Sequence, residues 1–434
     1  MKSIYAILFL TTLVWACNNI EDAEPAAKNT FIKFYHGPYS YTSVEVERIP
    51  DGYAVLGNMT ISDDSVVATL IRTDENGNPA GEIQYYPGCT AKSLQVLQNG
   101  DQVSGYVILG DSIKVDPNAS KVGNILVYAT RILLVNTSGT IQSTRTYRDD
   151  SQDTSRVLID YRGNTLTTNE NNELIILGNY REDLSRPEKS FVVALDFNLN
   201  QQWYKTYDLI DVGQTDYNYV NAKSIHAKQG NLIWASSILK STGEFSDSYL
   251  AIPFVEAEST FKNFSMMGET SSQLFYATDI KPSNGPGYGV VGTRASTDGS
   301  NANMFFARVD GFGNFVAEST RYFDGVLSQQ NEAIDFTASE SQDTGESITS
   351  TPDGGFVLAG STKIGSNSTD IFLIKVNSSG DILWNKILGG SGEETISSII
   401  SDSDGNLTIS GTNNLGGLSS IFLMKTDSKG ELKN

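Results

Sequence analysis

The chain has 434 residues, of which 39% are hydrophobic and 10% aromatic, so it contains enough apolar material for a sizeable core. Its formal net charge of −20 argues against binding to nucleic acid and against electrostatic docking on an anionic membrane. The 39 glycines, combined with few long helical apolar patterns, indicate a turn-rich, all-β protein.

The N-terminal stretch "MKSIYAILFLTTLVWAC" has a positive start, an apolar segment over 4–14 and a small residue before Cys17. The apolar segment is too short to span a bilayer, and its order is that of a leader. It resembles a bacterial lipoprotein signal, which implies a signal peptide over 1–16 and diacylation of Cys17. Trp15 is unusual in that position, so an ordinary secretory signal is the alternative.

Residues 17–30 are polar and lack apolar periodicity, so they predict a flexible tether. The acidic run over 21–24 resembles the export signal of surface-exposed lipoproteins in Bacteroidota, although acidic residues also simply solvate a linker. The resemblance implies an outer-membrane lipoprotein exposed at the cell surface, held to the membrane by its lipid anchor only. Cys89 is the other cysteine, and with Cys17 acylated no intrachain disulfide is expected.

The stretch "TPDGGFVLAGST" (351–362) recurs along the chain as a glycine turn followed by a short apolar strand that ends on a small residue. Seven copies occur with a period near 50 residues and insertions of variable length, which is typical of a propeller or solenoid array. The small residues that end the seven strands are Gly57, Gly105, Gly178, Ser236, Gly292, Gly360 and Gly411.

The sixth copy shows the whole unit. It predicts a first strand over 346–352, a "DGG" turn and a second strand "FVLAGST". A third strand over 370–376, the turn "NSSG" and a fourth strand over 381–388 follow. Each copy is therefore predicted to form a four-stranded antiparallel blade.

Residues 370–394, "DIFLIKVNSSGDILWNKILGGSGEE", are similar to the SBBP-type beta-propeller repeat of bacterial surface and secreted proteins. The lead-in "DGGFVLAGST" resembles the form that this repeat takes in Bacteroidota. The resemblance is good over 346–427 and weakens towards the N-terminus. It implies a fold and transfers no catalytic residue, because the shared positions are turns and core.

The last repeat ends at the C-terminus after its third strand, whereas "FIKFY" (31–35) looks like a fourth strand without a blade. We therefore predict a seven-bladed β-propeller over 31–434, in which 31–35 completes the last blade and closes the ring. The third and fourth copies are weak, so six or eight blades stay open.

Turns between the first and second strands, and between the third and fourth, fall on one side of such a disc, here called the turn face. Second-to-third loops and inter-blade connections fall on the other side, the loop face. Most of the length variation is on the loop face, which indicates a binding side, with tolerated drift as the alternative. The longest insertions cover 111–125, 180–189, 208–219, 294–302 and 323–344.

Tyrosine and acidic side chains suit the recognition of sugars, peptides or proteins. Any one of the aromatic rings is at least as well explained by packing between blades. The candidate binding residues on the loop face are Tyr39, Tyr41, Asp216, Tyr217, Tyr219, Glu332, Asp335 and Phe336.

The chain has only His36 and His226, in different repeat positions, which argues against a histidine-rich metal site and leaves few candidates for a Ser-His-Asp triad. No cofactor is expected. The stretch "DSDGN" (402–406) matches only part of a calcium loop and is predicted to be a turn. A glycosidase, however, needs only two suitably spaced carboxylates. The loop face offers Asp208, Asp211, Asp216, Glu332, Asp335 and Asp343.

These observations favour a non-catalytic binding or assembly module for a glycan, a peptide or an outer-membrane protein. A carbohydrate-active enzyme that uses carboxylates of the loop face is one alternative. A structural subunit of an outer-membrane complex is the other.

Overall fold

A computed structural model describes most of the chain from residue 30 onwards. The described ranges are 30–62, 65–100, 102–115, 126–147, 160–181, 188–215, 217–242, 245–268, 273–325, 341–364 and 368–432. Cys17 and the predicted signal peptide over 1–16 lie outside these ranges, as does almost all of the tether. No helix in the described ranges is long and apolar enough to cross a membrane.

The chain is all-β, and its strands form four-stranded antiparallel units, numbered here in chain order. Unit 1 contains β2 (Ser40–Ile49), β3 (Gly52–Ser62), β4 (Ser65–Asp74) and β5 (Gln84–Pro87). Unit 2 contains β6 (Thr90–Asn99), β7 (Gln102–Val115), β8 (Leu126–Val135) and β9 (Ile141–Tyr147). Unit 3 contains β10 (Asp160–Thr168), β11 (Leu174–Arg181), β12 (Lys189–Leu195) and β13 (Gln201–Tyr207).

A short 3-10 helix, Leu209–Val212, precedes unit 4. Unit 4 contains β14 (Tyr217–Lys228), β15 (Asn231–Thr242), β16 (Phe245–Glu256) and β17 (Phe261–Met267). Unit 5 contains β18 (Gln273–Pro282), β19 (Tyr288–Ser296), β20 (Ala302–Val309) and β21 (Arg321–Phe323). Unit 6 contains β22 (Ser341–Ser350), β23 (Phe356–Ile364), β24 (Thr369–Val376) and β25 (Ile382–Leu388).

Units 5 and 6 form one eight-stranded sheet, because Ala302 and Gln342 make a parallel pairing between β20 and β22. The last unit, unit 7, draws on both ends of the chain. It contains β26 (Glu393–Ser401), β27 (Leu407–Leu415), β28 (Leu418–Thr426) and β1 (Phe31–Tyr35). β1 pairs antiparallel with β28, with Phe34 opposite Phe422.

Second strands are apolar on both faces because each unit is covered by a neighbour on either side. In β3 the residues from Gly52 to Met59 are all buried, and in β23 those from Phe356 to Thr362 are buried. The apolar clusters accordingly lie between units: Leu56 and Leu70 of unit 1 pack with Leu94 and Ile108 of unit 2. Each such side chain contributes about 1.5–3 kcal/mol when fully buried.

Another cluster of this kind joins the last unit to the first. Tyr35 and Ile421 of unit 7 pack with Tyr53 and Val55 of unit 1. The Tyr35 hydroxyl also donates a hydrogen bond of 2.8 Å to the carbonyl oxygen of Gly77. The N-terminal strand is therefore held by packing as well as by its pairing with β28.

Many of the short turns on the turn face are closed by Asp or Asn side chains. The carboxylate of Asp402 accepts the backbone N–H groups of Asp404 (3.0 Å) and Asn406 (2.9 Å), and Gly405 has a φ of +81°. The stretch "DSDGN" is thus a capped turn, as the sequence predicted. In "TPDGG" the left-handed residue is Gly354, with a φ of +84°.

The register corrects one repeat boundary. Gly57 lies opposite Ser43 in unit 1, but the residue opposite the equivalent Ala91 in unit 2 is Gly110 rather than Gly105. The prediction was wrong because the β6–β7 hairpin is extended. Gly105 instead lies where an added Cβ would be 2.5 Å from the carbonyl oxygen of Val135.

All five predicted loops overlap a strand at one or both ends, two of them as follows. β22 begins at Ser341, inside the predicted loop 323–344, and β14 begins at Tyr217, inside the predicted loop 208–219. The inter-unit connections are therefore shorter than the sequence indicated. The first strands extend further towards the loop face than the hydrophobic pattern alone shows.

Candidate functional site

The main candidate site is a cavity of about 230 Å³, lined by the first strands of all the units. These strands are β2, β6, β10, β14, β18, β22 and β26. Each first strand contacts that of the next unit, and β26 contacts β2. The cavity is therefore formed by residues that lie far apart in the sequence.

Every first strand contains a β-bulge at the same place, opposite the small residue of the second strand. We call the five residues around it the bulge segment and number its positions one to five. The bulge segments are 43–47, 91–95, 163–167, 222–226, 277–281, 345–349 and 396–400. Their sequences are SVEVE, AKSLQ, GNTLT, AKSIH, ATDIK, GESIT and ISSII.

The third position of the bulge segment connects neighbouring units, while the fourth position is apolar and buried. The Glu45 carboxylate accepts the backbone N–H of Leu94 at 2.6 Å, and that of Asp279 accepts the N–H of Ile348 at 3.2 Å. Ser347 likewise accepts the N–H of Ile399 at 3.4 Å. Since the fourth-position donors are buried, these bonds also satisfy groups that would otherwise cost free energy.

The side chains at the second position differ in length from unit to unit. Short polar ones bond to the next unit: Asn164 Nδ2 donates to Ala222 O (2.6 Å), and Thr278 Oγ1 donates to Gly345 O (2.8 Å). Ser397 Oγ donates to Ser43 O at 2.9 Å. The long ones, Lys92, Lys223 and Glu346, extend into the cavity.

We call Lys92, Lys223 and Glu346 the lysine layer. Lys92 Nζ lies 3.7 Å from the carboxylate of Asp111, and its side chain is 44% exposed, so solvent reaches this layer. The pKa of Lys223 is lowered by burial and by repulsion from Lys92, against the attraction of Glu346. Burial also raises the pKa of Glu346.

A second group of charges lies about 10 Å further along the strands, near the fifth position. Burial and the charge of Glu45 raise the pKa of Glu47 to about 8, against the attraction of Lys281. Lys281 Nζ lies 3.6 Å from the Asp279 carboxylate. The negative charge of Asp279, together with those of Glu45 and Glu47, raises the pKa of Lys281. Burial lowers the pKa of the neighbouring His226 to about 4.

The structure disperses the candidate residues of the loop face. Tyr39 is 39% exposed at the start of unit 1, whereas Tyr41 is only 3% exposed and its hydroxyl lies 3.3 Å from that of Tyr85. Tyr217 stacks edge-on against Tyr249, with ring centroids 5.7 Å apart. The side chain of Tyr219 lies outside the description. So do the residues Asp216, Glu332, Asp335 and Phe336.

Three carboxylates of the glycosidase alternative are described: Asp211 is exposed in the 3-10 helix, whereas Asp208 and Asp343 have structural partners. Asp208 caps the 3-10 helix through the N–H of Ile210 at 3.1 Å and pairs with Lys189 at 3.1 Å. Asp343 is fully buried and accepts hydrogen bonds from Ser341 Oγ (2.7 Å) and Gly325 N (3.0 Å). Burial raises the pKa of Asp343 to about 6.

In the described part of the chain, no three His, Cys, Asp or Glu side chains are grouped to hold a metal ion. Sequence reasoning missed the bulge segments because their pattern is short and weak. The first residue is small except in unit 7, the second is polar except in unit 1, and Ser, Thr, Asp or Glu then precedes an aliphatic residue. Aligning the repeats on their first strands, rather than on the glycine turns, would have revealed it.

No family model and no curated protein matches the chain. Similar solved structures include a protein of unknown function from Dyadobacter fermentans. The two chains are 10% identical, and the match covers 91% of this chain and 97% of that one with a TM-score of 0.49. The α-L-arabinofuranosidase Arb93A from Fusarium graminearum is 13% identical over 93% of this chain and 100% of its own, TM-score 0.47. The β-propeller domain of the Trilobed protease from Pyrococcus furiosus is 10% identical, and the match covers 92% of this chain and 97% of that domain with a TM-score of 0.47. These likenesses assign no chemistry to this chain.

Proposed function

We propose that the units are seven blades of a closed β-propeller whose last blade is completed by the N-terminal strand. Support comes from the junction between units 7 and 1, where the Ser43 N–H donates to Thr412 Oγ1 at 3.0 Å and Ser397 Oγ donates to Ser43 O. The same kinds of bond occur between neighbouring internal units. Closure protects strand edges that a long all-β chain otherwise exposes.

We propose that this propeller is a binding or assembly module and performs no chemistry of its own. The observation that carries the proposal is the cavity at the meeting point of the first strands. Positions that hold the units together repeat from unit to unit, whereas charged cavity residues such as Glu47, Lys281 and Glu346 have no counterpart of the same type in the other units. A repeating frame around non-repeating polar groups is suited to recognition.

The proposed setting is the bacterial outer membrane, with the protein anchored through diacylated Cys17 and exposed at the cell surface. The leader-like N-terminus supports this setting. Mass spectrometry of the N-terminal peptide should find the diacyl modification on Cys17, and Cys17→Ser should move the protein out of the membrane fraction. An unmodified N-terminus would leave the propeller without its proposed anchor.

The proposed partner is a glycan, a peptide or another outer-membrane protein that approaches from the loop face. The test is a pull-down from native membranes after mild solubilisation, combined with a glycan array. Tyr39→Ala should weaken capture, while Phe312→Ala, which removes a 71% exposed ring on the turn face, should not. Equal capture by both variants would contradict a partner that contacts the loop face through Tyr39.

A stable complex with a membrane protein would instead support a structural subunit of an outer-membrane complex. Turnover on a polysaccharide panel, abolished by Asp216→Asn or Glu332→Gln, would support the glycosidase and overturn a non-catalytic role.

A further inference from the structure

The two lysines of the lysine layer are not needed to hold neighbouring units together. Short polar side chains at the second position, such as Asn164, Thr278 and Ser397, bond to the next unit. Lys92 and Lys223 occupy the same repeat position but extend into the cavity. Among the described residues, neither lysine makes a bond to the next unit of the kind that those three short side chains make, and Lys92 instead pairs with Asp111 of its own unit.

The two ammonium groups face the same cavity in a protein whose net charge is −20. Lys92 reaches Asp111 and Lys281 reaches Asp279, but Lys223 makes no ion pair within the described ranges. The charges that Lys223 experiences are Lys92, which repels it, and Glu346, which attracts it. Both lysines are exposed, so solvent reaches both ammonium groups.

We propose that the lysine layer binds a small oxyanion, a carboxylate or phosphate group, between Lys92 and Lys223. An anion placed there converts the repulsion between the two ammonium groups into two charge-assisted hydrogen bonds. The 44% exposure of Lys92 gives solvent access. The cavity of about 230 Å³ is also several times the share of liquid volume that one water molecule occupies.

This inference rests on the proposed binding function and deepens it, since it names the chemistry that the cavity recognises. A carboxylate would come from an acidic sugar or a peptide terminus, and a phosphate from a headgroup or from free phosphate. The shared chemistry is an oxyanion carried by a pair of lysines.

The test is isothermal titration calorimetry of the full-length solubilised protein at constant ionic strength. Sodium phosphate and sodium glucuronate are the two probes, and choline chloride is the control for ionic strength. We expect saturable one-to-one binding of at least one probe. Phosphate alone indicates a phosphoryl source, and glucuronate alone indicates a carboxylate source. No saturable heat from either probe overturns the proposal.

Lys223→Met should weaken binding roughly tenfold to a hundredfold, the loss expected for one charge-assisted hydrogen bond, and Lys223→Arg should retain most of it. Lys262→Met, at a 44% exposed lysine on the outer strand β17, is the matched control and should bind as the wild type does. Binding that survives both Lys223→Met and Lys92→Met would place the anion elsewhere and overturn the proposal.

Thermal melting shows whether the variants fold. Without probe, Lys223→Met should melt no lower than the wild type, because it removes a repulsive charge, and phosphate or glucuronate should no longer raise its melting temperature. A rise equal to that of the wild type contradicts the site. A pull-down distinguishes the proposed binding function from the proposed oxyanion site. Capture of a partner without oxyanion binding would support the binding function and overturn only the oxyanion site.

Discussion

The backbone N–H of Ser43 donates a hydrogen bond of 3.0 Å to the side-chain oxygen of Thr412, across 369 positions of sequence. The bond joins the first strand of unit 1 to the second strand of unit 7. Ser237 accepts from Ala277 N at 2.9 Å, and Thr293 accepts from Gly345 N at 3.1 Å, at the same repeat position. The contact between the two ends of the chain thus has the form of an internal contact.

Thr412→Val keeps the shape of the side chain but leaves the Ser43 N–H without its acceptor. We expect a loss of about 1–3 kcal/mol in the free energy of unfolding, measured by urea denaturation. Thr293→Val is the matched control at an internal junction and should lose a similar amount. A neutral Thr412→Val beside a costly Thr293→Val would show that the junction between units 7 and 1 does not form in solution.

Deletion of residues 30–36 removes β1 and with it Tyr35, which is 6% exposed and bonded to Gly77. Loss of this one aromatic side chain should cost about 3–5 kcal/mol, and the exposed edge of β28 adds to it. The melting temperature should therefore fall clearly. Lys33→Ala serves as a mild control within the same strand, and a deletion variant that melts with the wild type would refute closure by β1.

Glu47 should make stability fall as pH rises. Its pKa is raised from 4.5 to about 8, mainly by burial, so the folded chain holds the proton more tightly than the unfolded chain does. Its contribution is full below pH 4.5 and is lost as pH rises through 8. The free energy of unfolding, measured by urea denaturation at several pH values in this window, should decline less for Glu47→Gln than for the wild type. For the control Glu393→Gln, at an exposed site, it should decline as much as for the wild type. Parallel curves for Glu47→Gln and wild type would contradict the shift.

His226 should act in the opposite direction on the acid side. Burial, aided by Lys281 and Lys228, lowers its pKa from 6.5 to about 4. Its contribution to stability is present above pH 6.5 and is lost as pH falls towards 4. The imidazole resonance that disappears in His226→Gln should titrate near pH 4 in NMR spectra, and a midpoint near 6.5 would contradict the buried environment.

Cys89 should be unreactive in the folded protein. It is 1% exposed, and burial raises the pKa of its thiol to about 12, so almost no thiolate is present at neutral pH. A thiol reagent should label it only when denaturant unfolds unit 2. Rapid labelling of the native protein would mean that this unit opens locally.

The sequence predicted the repeated strands and their turns because both depend on neighbouring residues. The short apolar run in "DIFLIKV", bounded by turn residues, predicts β24, and the Asp402–Gly405 pair predicts a turn whose hydrogen bonds stay within five residues. In unit 2 the local pattern gave the wrong residue. Gly105 has the expected spacing from its turn, but the register with β6 shows that Gly110 is the residue equivalent to Gly57 of unit 1.

The sequence by itself determined the all-β class, the repeating unit and the turns, because each follows from local backbone preferences and from short apolar runs between turn residues. Only the tertiary structure decided the candidate site. Lys92 and Lys223 each lie in an ordinary half-polar strand, and nothing local shows that both face one cavity. Their meeting depends on how the bulged first strands come together around it, which is a property of contacts between units rather than of any segment.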